Sequence, residues 1–223
     1  MGINRGKLFS FLMRKGVVSF GGMIVGLVLL VVAFMGPWYT MNLSGALGID
    51  GHAEFYLTRM ETKGTFFNNQ NLSLSVGYAD AKQNAQSVGA NTESFSIIEN
   101  AMYLTFFAMV ANLIALLGIG AFVFHLGTPK IMKYVGGGFA LLTFVLALGP
   151  ALYVMNTKFA ENTSGFWFSQ SLIGVTVTGG PGYGWYLMIV VAIIALICGI
   201  AILVKKMIPE TTSSEKVTPP ANK

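Results

Sequence analysis

Two histidines, one cysteine and nine carboxylates are the residues of this 223-residue chain with the widest chemical repertoire. His52 lies among Asp50 and Glu54 in a loop with no recognisable serine motif, so no nucleophile–base arrangement is formed. His125 closes a long apolar run, and a haem held by two histidines needs both imidazoles on facing helices, which His52 and His125 do not supply. Cys198 stands alone, so it forms no intrachain disulfide and no multi-cysteine metal centre, and it reads as a small buried hydrophobe. Gly136-Gly137-Gly138 lacks the following Lys-Ser/Thr of a phosphate-cradling loop. The sequence therefore assigns no catalytic residue, no cofactor, no metal and no small-molecule substrate. What remains of the ionisable set is an acidic group, Asp50, Glu54 and Glu61, whose charge would favour cations if it lined a path.

The elements that must position these residues are set by hydropathy. Of the chain, 54% is hydrophobic and 10% charged, against roughly 25% charged in soluble domains, which excludes a soluble enzyme. Four runs contain no Asp, Glu, Lys or Arg: residues 16–39, 101–126, 134–155 and 184–204. Each is long enough to cross a bilayer core, which takes about 20 apolar residues. Their lack of charge counts against proton relays, pumps and voltage sensors, which depend on intramembrane ionisable groups. The first run exceeds the apolar core of a cleaved leader and no small-x-small site follows it, so it reads as a retained signal anchor.

Between the spans lie an amino-terminal segment 1–15, a long loop 40–100, a short loop 127–133, a medium loop 156–183 and a Ser/Thr/Pro-rich tail 205–223 with the composition of a disordered segment. The two ends and the short loop hold ten Lys/Arg against Glu210 and Glu215, a net +8, while the long and medium loops hold four against seven acids, a net −3. The positive-inside rule then predicts a multi-pass cell-membrane protein with both termini cytoplasmic. The basic residues are spread over separate segments rather than one face, so nucleic acid is not a predicted partner. Sequons at Asn42, Asn71 and Asn162 all fall in the two outward loops and are candidate glycosylation sites.

Inside the spans, small residues four apart recur once per helix: Gly22 and Gly26, Ala111 and Ala115, Ala147 and Ala151, Ala195 and Gly199. Such pairs let helices approach closely, within the bundle or against another subunit. Asn112, mid-span, is expected to bond across the bundle, and Pro150 to kink the third helix.

The outer loops carry strand patterns. Residues 72–78 alternate strictly, 55–58 and 65–67 read as strands, and 173–178 alternate before Gly179-Gly180-Pro181-Gly182 breaks the run. The predicted fold is a membrane all-α four-helix bundle with a small antiparallel extracellular sheet contributed by both outer loops. Phe166-Trp167-Phe168 is an aromatic knob that packs beneath the sheet or contacts lipid or a partner.

The long–short–medium loop order, Pro37-Trp38 closing the first span and Gly182-Tyr183-Gly184-Trp185 leading into a Gly/Ala-rich fourth span resemble the claudin and peripheral-myelin-protein superfamily of tetraspan proteins. The resemblance implies a four-helix bundle under an extracellular sheet. It does not extend to the Gly-Leu-Trp motif and paired cysteines of a claudin first loop, or to a hydrophobic scaffold-binding carboxyl end. Tetraspanins and connexins fit less well, for want of cysteine-rich outer loops.

The leading expectation is a non-enzymatic tetraspan that acts by contact, as a homo-oligomer or as an accessory subunit of a larger cell-surface complex. Two alternatives use the same architecture: an oligomeric or paracellular-type cation pore, and a membrane anchor for a redox enzyme whose cofactor sits in another chain.

Overall fold

A computed structural model of the chain describes residues 16–45, 49–66, 70–87, 92–156, 165–172 and 174–204. The amino-terminal segment, the tail and Asn162 lie outside the described residues. In chain order the elements are α1 (Val17–Met35), β1 (Tyr39–Gly45), β2 (Ile49–Phe55), β3 (Arg59–Phe66), β4 (Gln70–Gly77), α2 (Tyr78–Ser87), α3 (Glu93–Val123), α4 (Pro129–Met155), β5 (Phe168–Leu172), β6 (Val175–Pro181) and α5 (Tyr183–Val204). The chain is mostly helical, with four helices long and apolar enough to cross a membrane and a six-stranded antiparallel sheet.

The long helices form a ring. α1 packs on α3 and α5, and α4 packs on the same two from the other side. Small residues set the approach. A Cβ on Gly118 would meet the Gly136 backbone nitrogen at 2.7 Å, so α3 and α4 touch backbone to backbone there. Gly137, about a quarter-turn round the same helix, faces α5, where a Cβ would meet Leu203 at 2.6 Å. The small-residue pairs also face inward. Ala111, Ala115, Ala147, Ala151 and Ala195 are buried, and Gly199 lies against Leu141. A Cβ on Gly22 would meet Cys198 Sγ at 2.6 Å, and one on Gly26 would meet Asn112 Nδ2 at 3.2 Å. These stripes join the helices of one bundle.

Several boundaries differ from the sequence reading. α1 stops at Met35, because Pro37 forces Gly36 into the extended region (φ −88°, ψ 161°), and Tyr39 opens a strand instead of closing a span. α3 starts eight residues before the charge-free run, at Glu93, since a charge-free run marks the apolar part of a helix and backbone hydrogen bonding continues through polar residues beyond it. It ends at Val123, short of Leu126, where His125 adopts φ +58° and Gly127 φ +76° to turn the chain. Pro129 then starts α4, within the expected short loop, at a first-turn position that needs no N–H donor. α4 runs on through Pro150. Asn112 is fully buried, and neither of its side-chain polar atoms has a hydrogen-bond partner among the described residues, in place of the expected cross-bundle bond.

The sheet is larger than the alternation suggests, with strand order β4-β3-β2-β1-β6-β5. Residues 56–58, expected in a strand, form the turn between β2 and β3, with the Tyr56 N–H donating to the Arg59 carbonyl at 2.9 Å. Tyr78 starts α2 instead of ending β4, and Lys82 on α2 pairs with Glu99 on α3. β1 lies between β2 and β6, so the sheet joins two segments separated by about half the chain.

Candidate functional site

The chain enters the sheet beside the place where it leaves it. Gly184 N–H donates to the Pro37 carbonyl at 2.9 Å and Gly182 N–H to the Trp38 carbonyl at 2.9 Å. A Cβ on Gly182 would overlap the Pro37 carbonyl oxygen, and one on Gly184 would meet the Ala33 oxygen at 2.9 Å, so only glycine allows this approach. Two buried indoles cap the helix ends: Trp38 Nε1 donates to the Ala33 carbonyl and Trp185 Nε1 to the Ala151 carbonyl, each at 2.8 Å. The motifs Pro37-Trp38 and Gly182–Trp185, distant in sequence, thus form one clamp between bundle and sheet.

Beneath the clamp lies an aromatic layer. Phe166 is buried between Tyr39, at 5.2 Å between centroids, and Trp185, at 5.5 Å. Phe168 is also buried, in space left by Gly179. Phe166 and Phe168 are therefore core residues of the monomer and not outer contacts; Trp167 alone stands outward, 53% exposed, with its ring edge-on to Trp185. Side chains alternate along strands, and the flanking positions 166 and 168 turn toward the bundle.

The sheet has two unlike faces. Toward the bundle it presents Tyr39, Met41, Phe55, Met60 and Phe168, which join the main apolar core. Away from the bundle this same face continues uncovered, with Leu72 and Leu74 exposed. The opposite face is polar. On it, Asn42, His52, Lys63 and Ser73 lie in one row, and Thr40, Glu54, Glu61 and Ser75 in the next.

The predicted acidic group falls on this polar face: Asp50 and Glu54 four residues apart on β2 with His52 between them, and Glu61 directly across from Glu54. Each of the two glutamates has its own partners. Glu54 accepts a hydrogen bond from Tyr56 Oη at 2.9 Å and lies 3.3 Å from His52 Nε2, while Glu61 pairs with Arg59 at 2.7 Å. Burial pushes the Glu54 carboxyl up, but the bonds from Tyr56 and His52 and the nearby His52 and Lys63 charges outweigh it and hold the group below the usual carboxylate range. The Tyr56 hydroxyl is pushed up to about 12, by burial and then by Glu54. The Arg59 guanidinium stacks on the Tyr56 ring at 4.4 Å, and Tyr78 Oη donates to the Tyr56 carbonyl. Glu54, Tyr56 and Arg59 thereby stiffen the β2–β3 turn.

Of the glycosylation candidates, Asn42 is exposed on β1 with Oδ1 2.5 Å from His52 Nδ1, and Asn71 lies on β4. A concave surface of about 670 Å³ runs across the distal rows, where Gly51 and Gly64 pair between Leu43 and Leu72. His125 lies at the opposite end of the bundle from His52, at the α3–α4 turn. Among the described residues no group of three or more His, Cys, Asp or Glu is placed to hold a metal ion.

Sequence reasoning missed β1, β5 and α2, and touched β2 and β3 only at their ends, Phe55 and Thr65-Phe66. The alternation of polar and apolar residues in 39–44 was available but masked by its continuity with an apolar run. No protein-family model matches the chain, and no curated protein matches it in sequence.

Proposed function

We propose that this chain is a multi-pass membrane protein that crosses the bilayer four times, with both termini cytoplasmic and the sheet outside, and that it acts by protein–protein contact rather than catalysis. Membrane insertion is supported by the large apolar side chains on the outward faces of the helices, among them Val28, Phe107, Val145 and Ile197, each more than half exposed. Such surface suits lipid and not water. Orientation follows from the charge asymmetry between the two sets of loops. The claudin-like reading rests on the motifs Pro37-Trp38 and Gly182–Trp185, the residues that form the clamp.

The observation that carries a contact role is the sheet itself. It is built from two distant segments, fixed to the bundle through Pro37 and Gly184, and it leaves both lateral edges and a broad polar face unoccupied among the described residues. The small-residue stripes serve the bundle, so association in this reading falls to the outer sheet. Side-by-side self-assembly is the form we favour, with service as an accessory subunit of a larger complex the other form. Purification in mild detergent followed by native gel separation tests it: a ladder of the chain itself or a defined set of larger subunits is expected, and a lone monomer across mild detergents would overturn it.

A second reading, a cation-favouring pore, draws on the shared face of Asp50, Glu54 and Glu61. Under that reading, neutralising the three residues lowers the cation preference of a reconstituted conductance.

A further inference from the structure

We propose that the outer sheet continues from one copy of this chain into the next, β4 of one pairing with β5 of its neighbour. This rests on the self-assembly reading and names its surface. Among the described residues β4 and β5 are the two lateral edges of the sheet, and neither Gln70–Gly77 nor Phe168–Leu172 contains Asp, Glu, Lys, Arg or Pro. Proteins that keep their edges apart guard them with such residues.

Direction and pattern fit this occupant. All neighbouring strands are antiparallel, so in a six-stranded sheet the two edges run in opposite senses. β4 descends into α2 beside the bundle, and β5 rises from it. A copy displaced sideways without rotation, as a neighbour upright in the same membrane would be, therefore sets its β5 antiparallel to β4. Through Leu74, Thr62, Ala53, Met41, Gly179 and Phe168 a single row crosses the sheet, so an unslipped neighbour puts Leu74 beside Phe168 and Ser73 beside Ser169. A slip of two residues in one direction still sets serine against serine, Ser75 beside Ser169 and Ser73 beside Ser171, whereas a slip of one turns leucine onto the polar face. Neither edge brings a like charge to the join.

The size of the contact says where it can form. Five paired residues, the length by which β6 already holds β5, span about 17 Å at 3.4 Å per residue. A strip of that length and one sheet thick, about 10 Å, buries a few hundred Å², short of the roughly 1,200 Å² of a stable interface in solution. The pairing therefore requires the membrane to keep copies upright and close, which raises their effective concentration. Trp167, exposed at the foot of β5, supplies an aromatic anchor at the join.

Disulfide trapping in membranes tests the pairing, using the full chain with Cys198→Ala as background. The pairs Ser73→Cys with Ser169→Cys, Ser75→Cys with Ser169→Cys, and Ser73→Cys with Ser171→Cys are treated with a mild oxidant. At least one pair is expected to give a reducible ladder of dimers, trimers and longer species, while the single-cysteine chains and the opposite-face pair Leu72→Cys with Ser169→Cys give none. A dimer from Ser73→Cys alone indicates two-fold β4–β4 pairing and overturns the proposal, as does the absence of a ladder from all three pairs. A lysine-reactive cross-linker on the unsubstituted chain separates the two levels. A ladder with that reagent only leaves self-assembly standing and removes edge pairing; no ladder with either removes both.

Discussion

The indole N–H of Trp38 donates at 2.8 Å to the carbonyl of Ala33, the carbonyl that Pro37 leaves without a partner. In an α-helix the carbonyl of residue 33 accepts from the N–H of residue 37, and proline has none. The residue that ends α1 therefore creates a buried acceptor, and the next residue in the chain satisfies it. Trp38 is itself fully buried, so no water competes for the bond.

Trp38→Phe keeps most of the ring and removes the donor. It is expected to destabilise the fold by about 1–3 kcal/mol, the cost of leaving one buried acceptor unpaired, plus a smaller packing loss. Thermal unfolding in a fixed detergent measures this. An unchanged midpoint would show that another donor reaches Ala33.

Glycine substitutions should split by position. At Gly182 a Cβ would overlap the Pro37 carbonyl, whereas at Gly138 it would meet nothing within 4 Å. Gly182→Ala is expected to open the clamp and lower stability by more than about 1 kcal/mol, the range of overpacked sites. Gly138→Ala, in the interior of α4, is expected to raise it by roughly 0.5–1 kcal/mol through backbone entropy. The two variants, compared by thermal unfolding, carry the same chemical change and should move in opposite directions.

Why some features were legible in sequence follows from the same physics. The four helices were, because a charge-free run depends only on local composition, and Gly182 and Trp185 stood out as a Gly/Trp cluster. Their meeting with Pro37 and Trp38 was not, since a contact across about 145 positions leaves no local signal. β2 and β3 were hidden by their polar outer face: IDGHAEF and RMETKGTF alternate, but with glycine and alanine at inward positions the apolar half of the pattern is thin. The inward direction of Phe166 and Phe168 depends on the register of β5 with β6, which places Phe168 opposite Gly179.

Asn112 offers a test of polar burial. Its carboxamide is fully buried with no hydrogen-bond partner among the described residues, against Gly26 of α1. An unpaired buried amide costs about 1–3 kcal/mol on protein mutational scales. Asn112→Val is therefore expected to keep or raise the unfolding temperature despite its mid-helix position. A loss of stability in that variant would reveal a partner, such as a bound water, that the amide holds.

The β2–β3 turn should respond to pH at both ends of the scale. Because the Glu54 carboxyl is held below its usual range, its contribution to stability is fully present above the unfolded value, about 4.3, and is lost as pH falls through the lower folded value. Tyr56→Phe removes the 2.9 Å donor to that carboxylate. The Glu54 titration, followed by carboxyl-carbon NMR, should then move up in pH, and acid loss of structure should begin earlier. Tyr56 behaves in the reverse sense. Its hydroxyl, pushed up to about 12 by burial and by Glu54, contributes below the unfolded value and loses that contribution as pH rises through the folded one. Glu54→Gln removes the carboxylate charge but leaves the burial, so the tyrosinate absorbance step of Tyr56 should shift down only part of the way toward the ordinary value near 10. A step that does not move would place the whole effect in burial and leave Glu54 no part in holding the turn.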